Sequence, residues 1–291
     1  MEQVAPIALV TGSFMPKPDP ETHLVVDALA QLGLQAEIVS WDANIDWARF
    51  SLVVVRTPWD YFQHLDKFLA WLKQVDAVTR LTNPRRLITW NCHKGYLRQL
   101  AEAGLPTVPT IWLERNCPNP AELLAADDYF RQWDDIVVKP AISIGAINIL
   151  RTQPSSPAFI EHLHQLLATD DVLIQPFLPS IVRSGEVSLI FFGGNFSHAV
   201  RKVPCAGDYR VQDLYGGSVQ PYAASQREIS LSQDALEALP VASSYARVDL
   251  VSHDDHWVIM EVEIIEPELF LAADPSAACR FAETLLNLVN Q

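Results

Sequence analysis

Cysteine is sparse and unpatterned: Cys92, Cys117, Cys205 and Cys279 are scattered through 291 residues, with no CxxC pair and no histidine at zinc-site spacing. That excludes a disulfide framework or a structural zinc motif, and reduced thiols in a cytoplasmic protein are the simplest reading. Positive charge is also in deficit, since 21 Lys and Arg against 35 Asp and Glu give a net charge of −14. An acidic surface gains nothing from nucleic acid or an anionic membrane, so neither is expected as a partner. A small anionic ligand in a local basic pocket stays allowed. The longest uncharged run near the middle, residues 187–200, is too short to span a bilayer and contains Gly, Asn and Ser. The opening MEQVAPIALVTG lacks the cationic start and long apolar core of a signal peptide, so none is expected. There is no internal repeat and no low-complexity tract. What is present, 49% hydrophobic and 19% charged residues, describes a globular protein. Its length exceeds a typical single domain, and two or three lobes are expected.

Along the first third, short apolar runs alternate with amphipathic stretches. Residues 7–10 read as a buried strand, and a helix is expected from about Glu21, with Val25, Ala28, Leu29 and Leu32 inward and Gly33 as its stop. Residues 36–39 and 52–55 read as strands, and residues 62–75 as a helix burying Leu65, Phe68, Leu69 and Leu72. This alternation indicates an α/β class with a helix-covered parallel sheet. Ligands of such sheets bind beyond the carboxyl ends of the strands. The run Arg56-Thr57-Pro58-Trp59-Asp60-Tyr61 stands there. It suits a substrate contact or, equally, a capped turn with buried aromatics.

Residues 89–103 are expected to form one helix carrying Lys94, and residues 107–113 a strand. Asn119-Pro120 is a good N-cap and first-turn pair. A strand over 136–140 ends in Lys139-Pro140, a small-residue loop spans 141–146, and residues 147–151 return. A helix over 157–167 and a strand over 172–175 follow. Gly193-Gly194-Asn195 joins strands 186–192 and 196–203 as a hairpin. The irregular GDYRVQDLYGG, residues 207–217, precedes a helix from about Ser232, and a last helix starts at Asp274-Pro275 and buries Ala278, Phe281 and Leu285.

The stretch RVDLVSHDDHWVIMEVEIIEP, residues 247–267, reads as two strands with one charged face each. Val248 and Leu250 alternate with Arg247 and Asp249, while Val258, Met260 and Val262 alternate with Glu261 and Glu263. Closure about Asp255 sets Asp249 opposite Glu261 and Arg247 opposite Glu263. Facing like charges destabilise a sheet, so a cation beyond Arg247 is expected, with a hard divalent ion the natural candidate. A solvated face with one ion pair is the alternative.

Lys94 and Lys139 are lone cations. Lys139 ends an apolar strand, where an unpaired charge is costly and an anionic partner is expected, phosphate being a common one. The loop Ser143 to Ala146, with Gly145, could cover phosphates or form a plain tight turn. Residues 175–178 cross between lobes and could hydrogen-bond a flat base. Arg210 and Arg247 could neutralise a transferring phosphoryl group.

The order Lys94, VVKP with its small-residue loop, QPFL, Gly185-Glu186, GDYRVQ with Gly216-Gly217, RVDL and EVE resembles the ATP-grasp fold. The branch is the glutathione-synthetase-like and ribosomal-S6-modifying-ligase-like one. RTPWDY, GDYRVQ and MEVEIIEPELF are similar to a subgroup that contains the D-cycloserine-forming ATP-grasp ligase. The resemblance runs over residues 83–271; the N-terminal lobe matches more by strand–helix order than by motif.

The resemblance implies an N-terminal parallel-sheet lobe (1–88), a smaller lid lobe (89–178) and a large lobe with the metal site (179–291), the last two clamping ATP between antiparallel sheets. It places Lys94 and Lys139 on the phosphates and Ser143, Gly145 and Ala146 over them. Gln175, Phe177 and Leu178 then hold adenine and Glu186 the ribose hydroxyls. Arg210 and Arg247 serve the γ-phosphate and the acyl-phosphate. Asp249, Glu261 and Glu263 hold one or two Mg²⁺ ions, with Mn²⁺ as a substitute; the family commonly has Asn at the third position. Substrate would meet Arg56, Trp59, Asp60, Tyr61, Gly216 and Gly217.

The expected activity is an ATP-dependent carboxylate–amine (or thiol) ligase acting through an acyl-phosphate on an amino acid or small peptide. A kinase using the same site and a non-catalytic nucleotide-binding protein are the alternatives, with a plain metal-binding domain behind them. A homo-oligomer is left open. An arginine paired with Asp208 or Asp213 is the structural alternative for Arg210.

Overall fold

The computed structural model describes residues 5–13, 19–212 and 215–291. β1 (Ile7–Thr11), α1 (Pro20–Gln31), β2 (Ala36–Ser40), β3 (Leu52–Thr57), α2 (Leu65–Asp76) and β4 (Leu81–Thr82) form the first lobe. Its four-stranded sheet is parallel, in the order β2-β1-β3-β4. β1 and β3 are buried throughout, as expected of strands covered on both faces. Val53 and Val55 pack with Phe68 and Leu72 of α2, while Leu52 and Val54 pack with Val25 and Leu29 of α1 and Phe281 near the C-terminus. Asp19 caps α1 by accepting from the Thr22 amide at 3.0 Å. Leu32, expected inward, lies beyond the last turn of α1 and is exposed.

α3 (Arg85–Asn91) and α4 (Tyr96–Glu102) replace the single helix expected over 89–103. The helix breaks at His93-Lys94-Gly95, where the His93 ring accepts the Gly95 amide at 3.0 Å. In the break the Lys94 amide donates to Ala141 O at 2.9 Å. The interruption therefore delivers Lys94 to the loop that begins at Ala141.

β5 (Ile111–Leu113), α5 (Pro120–Ala126), β6 (Ile136–Pro140), β7 (Leu150–Thr152), α6 (Pro157–Leu167) and β8 (Val172–Pro176) build an antiparallel sheet, β5-β8-β6-β7. The start of the strand expected over 107–113 pairs elsewhere, through a Thr107–Ile259 bridge.

α7 (Ser180–Ser184), β9 (Glu186–Phe192), β10 (Asn195–Val203), β11 (Ser218–Tyr222), α8 (Gln226–Glu237), β12 (Tyr245–His253), β13 (His256–Glu263) and α9 (Ala277–Val289) complete the chain. Their sheet is antiparallel in the order β11-β10-β9-β12-β13. β11 was not expected, because an exposed edge strand carries no apolar alternation. α8 starts at Gln226, ahead of Ser232, since Ser225 and Glu228 form a reciprocal capping box.

The first lobe, together with Asn91 at the end of α3, grips residues 264–271, which follow β13. Asn83 donates to Tyr245 O and Ile264 O at 3.0 and 2.7 Å, and Asn91 accepts from the Ile264 amide at 3.2 Å. Arg56 Nη1 reaches Pro267 O at 3.3 Å, Trp59 Nε1 reaches Glu266 O at 3.1 Å, and Glu21 accepts the Leu269 and Leu271 amides. No helix among the described residues is long and apolar enough to cross a membrane.

Candidate active site

One face of the large sheet changes character along its length. At one end Ile190, Phe192, Val200 and Tyr245 pack against Phe281 of α9. At the other, the same alternation turns up Glu186 and Ser188 from β9, Lys202 from β10, Arg247 and Asp249 from β12, and Glu261 and Glu263 from β13. The ladder pairs Glu186 with Lys202, Ser188 with Asp249, Asp249 with Glu261 and Arg247 with Glu263. The last two pairings are those expected from the sequence.

The apolar partners differ from expectation. The ladder shifts by one residue between Asp249 and Leu250, leaving Met260 as an extra residue on β13. Val258 and Met260 join Val251 and Leu178 in one cluster, while Val262 packs into the main core on the opposite face.

Asp249 is the hub. It accepts from Ser188 Oγ at 2.5 Å, from Arg247 Nε at 3.0 Å and from Lys202 Nζ at 3.3 Å. Burial pushes its carboxyl upward, but Arg247 and Lys202 outweigh that and hold it well below the usual carboxylate range. Lys202 also pairs with Glu186 at 2.5 Å, and Arg247 with Glu263. Lys94 Nζ lies 3.1 Å from Glu261 and donates to Ser143 O at 2.7 Å. Glu263 is driven up by burial, and further by Asp249 and Glu261, to about 7 despite Arg247. Lys139 is buried without an ion pair within 4 Å among the described residues. Its ammonium is pushed down by burial, with Glu261 opposing and Lys94 adding repulsion.

The cation demanded by the facing carboxylates is met here by the protein. Glu186, Asp249, Glu261 and Glu263 stand among Lys94, Lys139, Lys202 and Arg247, four charges of each sign. Sequence reasoning missed Lys202. Its signal was there: counting from His198 and Val200, alternation places it on the same face, directly opposite Glu186.

Beside this network a cavity of about 110 Å³ opens between the two antiparallel sheets. Lys139, Ala146, Gln175, Phe177, Leu178, Glu186, Arg210 and Glu261 all line it. Gln175 Nε2 donates to Thr110 Oγ1 at 2.9 Å, and the Phe177 ring carries the Arg151 guanidinium 3.4 Å above it. Over the phosphate-loop candidate, Gly145 and Ala146 both take positive φ, 59° and 65°. Arg210 lies on the cavity wall but is held by Asp208 at 2.7 Å, with its guanidinium 3.6 Å from the Tyr215 ring centre. Asp213, the other partner considered, is outside the described residues.

The remaining candidates do not line the cavity. Arg56 is fully buried, with Nε and Nη2 unpartnered, beneath residues 264–271. Asp60 accepts from Trp41 Nε1 at 2.8 Å and from the Ser13 amide at 3.1 Å. Tyr61 is buried against Phe68, 4.8 Å between ring centres. A Cβ on Gly217 would fall 2.1 Å from Val211 O, so this glycine lets the loop fold on itself, while Gly216 takes φ 79°.

Three carboxylates, those of Asp249, Glu261 and Glu263, offer oxygen atoms within 4.8 Å of one another. All-oxygen donors suit a hard divalent ion. A donor set of this kind, next to lysines and a cleft between antiparallel sheets, invites comparison with known nucleotide-dependent enzymes. The family described as prokaryotic glutathione synthetase, ATP-grasp domain, matches residues 121–267, and the D-cycloserine synthetase DcsG N-terminal domain matches residues 7–83. The cycloserine biosynthesis protein DcsG of Streptomyces lavendulae is 33% identical over 96% of this chain and 97% of its own length. The chain belongs to the ATP-grasp ligase family. A crystal structure of D-cycloserine synthetase DcsG superposes on this ligase with TM-score 0.88 and 31% identity, over 97% of this chain and 99% of that one. The D-alanine–D-alanine ligase of Bacillus anthracis shares the fold, at TM-score 0.69 and 15% identity over 99% and 98% of the two chains. Enzymes of this family use ATP and a divalent metal.

Proposed function

We propose that this ligase transfers the γ-phosphoryl group of ATP to a carboxylate of an amino acid or small peptide, and that an amine then displaces phosphate. In the first step a substrate carboxylate oxygen attacks the γ-phosphorus and ADP leaves. In the second the amine nitrogen bonds to the acyl carbon, the C–O bond to phosphate breaks and the amine loses a proton. The observation that carries the reading is the meeting of Lys94, Lys139 and Arg247 with the Asp249–Glu261–Glu263 donor set beside one cavity, which Lys139 and Glu261 line. The names of the relatives, which specify D-cycloserine, make an amino-acid-derived substrate and a ring closure the first case to try.

The neutral network suggests how the residues act. Phosphate oxygens compete for Lys94, Lys139 and Arg247; Lys94 turning to phosphate releases Glu261 and Arg247 releases Asp249 and Glu263, while Lys139 has no paired carboxylate to give up among the described residues. Asp249, Glu261 and Glu263 are thereby freed as ligands for Mg²⁺, or Mn²⁺ in its place. Such an ion, when bound, withdraws charge from the phosphate oxygens. Ser143, Gly145 and Ala146 are proposed over the phosphates, Gln175, Phe177 and Leu178 around adenine, and Glu186, shared with Lys202, at the ribose. Arg210 would leave Asp208 to reach the γ-phosphate. Gly216 and Gly217 shape its loop, and Arg56 and Trp59 support the substrate region by holding Pro267 and Glu266, with Asp60 and Tyr61 proposed beside them.

The lobes are proposed as 1–88, 89–178 and 179–291, supported by one sheet falling within each. A cytoplasmic setting is supported by four free thiols. The test is a phosphate-release screen with Mg²⁺ and ATP over amino acids and small peptides. Substrate-dependent release of phosphate and ADP is expected. ADP without phosphate would indicate a kinase, and no turnover with any acid would sink the amino-acid reading.

A further inference from the structure

We infer that Thr110 decides which nucleobase the ligase accepts, by fixing the side-chain amide of Gln175; the assignment rests on the nucleotide site proposed above and deepens it. The chain crosses between the two antiparallel sheets at residues 106–111. On one side Ile259 of β13 accepts the Val108 amide at 3.2 Å and donates its own to Pro106 O at 2.8 Å. On the other, Ile111 opens β5 and pairs with Ile174 of β8. That antiparallel register, continued by one residue, sets Thr110 across from Gln175. Gln175 is only 3% exposed and lines the cavity with Val137 and Lys139 of β6. Its neighbours Val138 and Ile174 point the other way and pack with Phe159 of α6. Thr110 does not line the cavity; it acts through Gln175.

Two hydrogen bonds decide which end of the amide meets a ligand. A threonine hydroxyl has a single proton to donate. Thr110 Oγ1 lies 2.7 Å from Val108 O, a carbonyl that can only accept, so the proton is committed there. Towards Gln175, 2.9 Å away, the same oxygen has only lone pairs to offer, and the amide must turn its NH₂ to it. The atom left over is Oε1, a pure acceptor, and it has no donor among the described residues. An acceptor left without a partner in a buried site is costly, and a bound base can supply the missing N–H. Adenine carries an exocyclic amine that donates; guanine and hypoxanthine carry a carbonyl oxygen in its place. Adenine would gain a hydrogen bond where the oxopurines set one acceptor against another. A site built to bond one such group rejects the analogue that lacks it. The selecting residue is therefore outside the cavity, at the joint between the sheets.

The test compares ADP with inosine diphosphate, which has a carbonyl in place of the exocyclic amine, titrated calorimetrically with Mg²⁺ present. The wild type is expected to bind ADP at least about tenfold more tightly. Thr110→Val keeps the side-chain shape and removes the hydroxyl, which frees the amide to turn over. Its ratio of the two affinities should fall towards one, with inosine diphosphate bound better than by the wild type. Thr110→Ser, which keeps the hydroxyl, should restore the ratio. A threonine needed only for packing would weaken both nucleotides together and leave the ratio as it was, and that result would overturn the assignment. Equal binding of the two nucleotides by the wild type would overturn it as well, while leaving the nucleotide site itself standing. Should Thr110→Val fail to fold, Thr110→Ala carries the same test: a lost preference supports the assignment and a retained one sinks it. Failure of the wild type to bind either nucleotide would bring down the ATP site and this assignment with it.

Discussion

Asp249 lies opposite Glu261 because Met260 is bulged out of the ladder between them. The turn Asp254-Asp255, both at positive φ, pairs His253 with His256 and Leu250 with Ile259. Continued regularly, that register would set Asp249 against Met260. The extra residue in β13 restores the carboxylate pair, and Met260 and Glu261 both line the cavity. A bulge re-aims side chains in this way and is common beside active sites. Closure about Asp255 reached the right pairs, but the turn and the bulge together produce them.

Lys139→Ala is expected to weaken ATP binding at least tenfold and to leave the fold intact. Lys139 has no carboxylate within 4 Å among the described residues, and Glu261 keeps its Lys94 partner, so no buried charge is stranded. Calorimetric titration with Mg-ATP and urea denaturation check the two halves. A stability loss of about 3–5 kcal/mol with unchanged ATP affinity would mark Lys139 as a structural ion-pair partner.

Arg210→Ala should lower kcat by about 10²–10³, the usual cost of one donor that acts mainly in the transition state. ATP affinity should be retained, because Arg210 rests on Asp208 and Tyr215 before reaction. Phosphate release and titration of the mutant are compared. Near-normal turnover would assign the arginine to its Asp208 pair alone.

Metal affinity is expected to depend on pH through Glu263. With its carboxyl near 7, Glu263 is largely protonated at pH 6, and a proton on a ligand competes with the ion. Apparent affinity for Mg²⁺ or Mn²⁺ should therefore rise as pH increases towards about 7 and level off above it. Glu263→Asn should flatten the profile. Mn²⁺ titration by electron paramagnetic resonance between pH 5.5 and 8.5 provides the measurement, and a flat wild-type profile would contradict the expectation.

Asn83→Ala is expected to destabilise the protein by at least about 2 kcal/mol. Asn83 is fully buried and serves Tyr245 O, Ile264 O and the Ser244 amide, and leaving buried backbone groups unpaired costs about 1–3 kcal/mol each. Urea unfolding measures it. A change below about 0.5 kcal/mol would show that the lobe contact relaxes without loss.

The sequence by itself determined the local structure and much of the chemistry. Alternating and helical periodicities marked the parallel sheet, the β6–β7 hairpin and the acidic hairpin, because each depends on neighbours a few residues away. The order of Lys94, VVKP, QPFL, RVDL and EVE carried the ATP-grasp resemblance that the relatives bear out. Tertiary structure alone decided which charges meet. Lys202 finds Asp249 across 47 residues, and Trp59 finds Glu266 across 207. It also turned the single helix around Lys94 into two, through Ala141 beyond the end of β6. Periodicity records only which face a side chain takes. The partner that neutralises a buried charge comes from a strand distant in the chain, and only packing brings the two together.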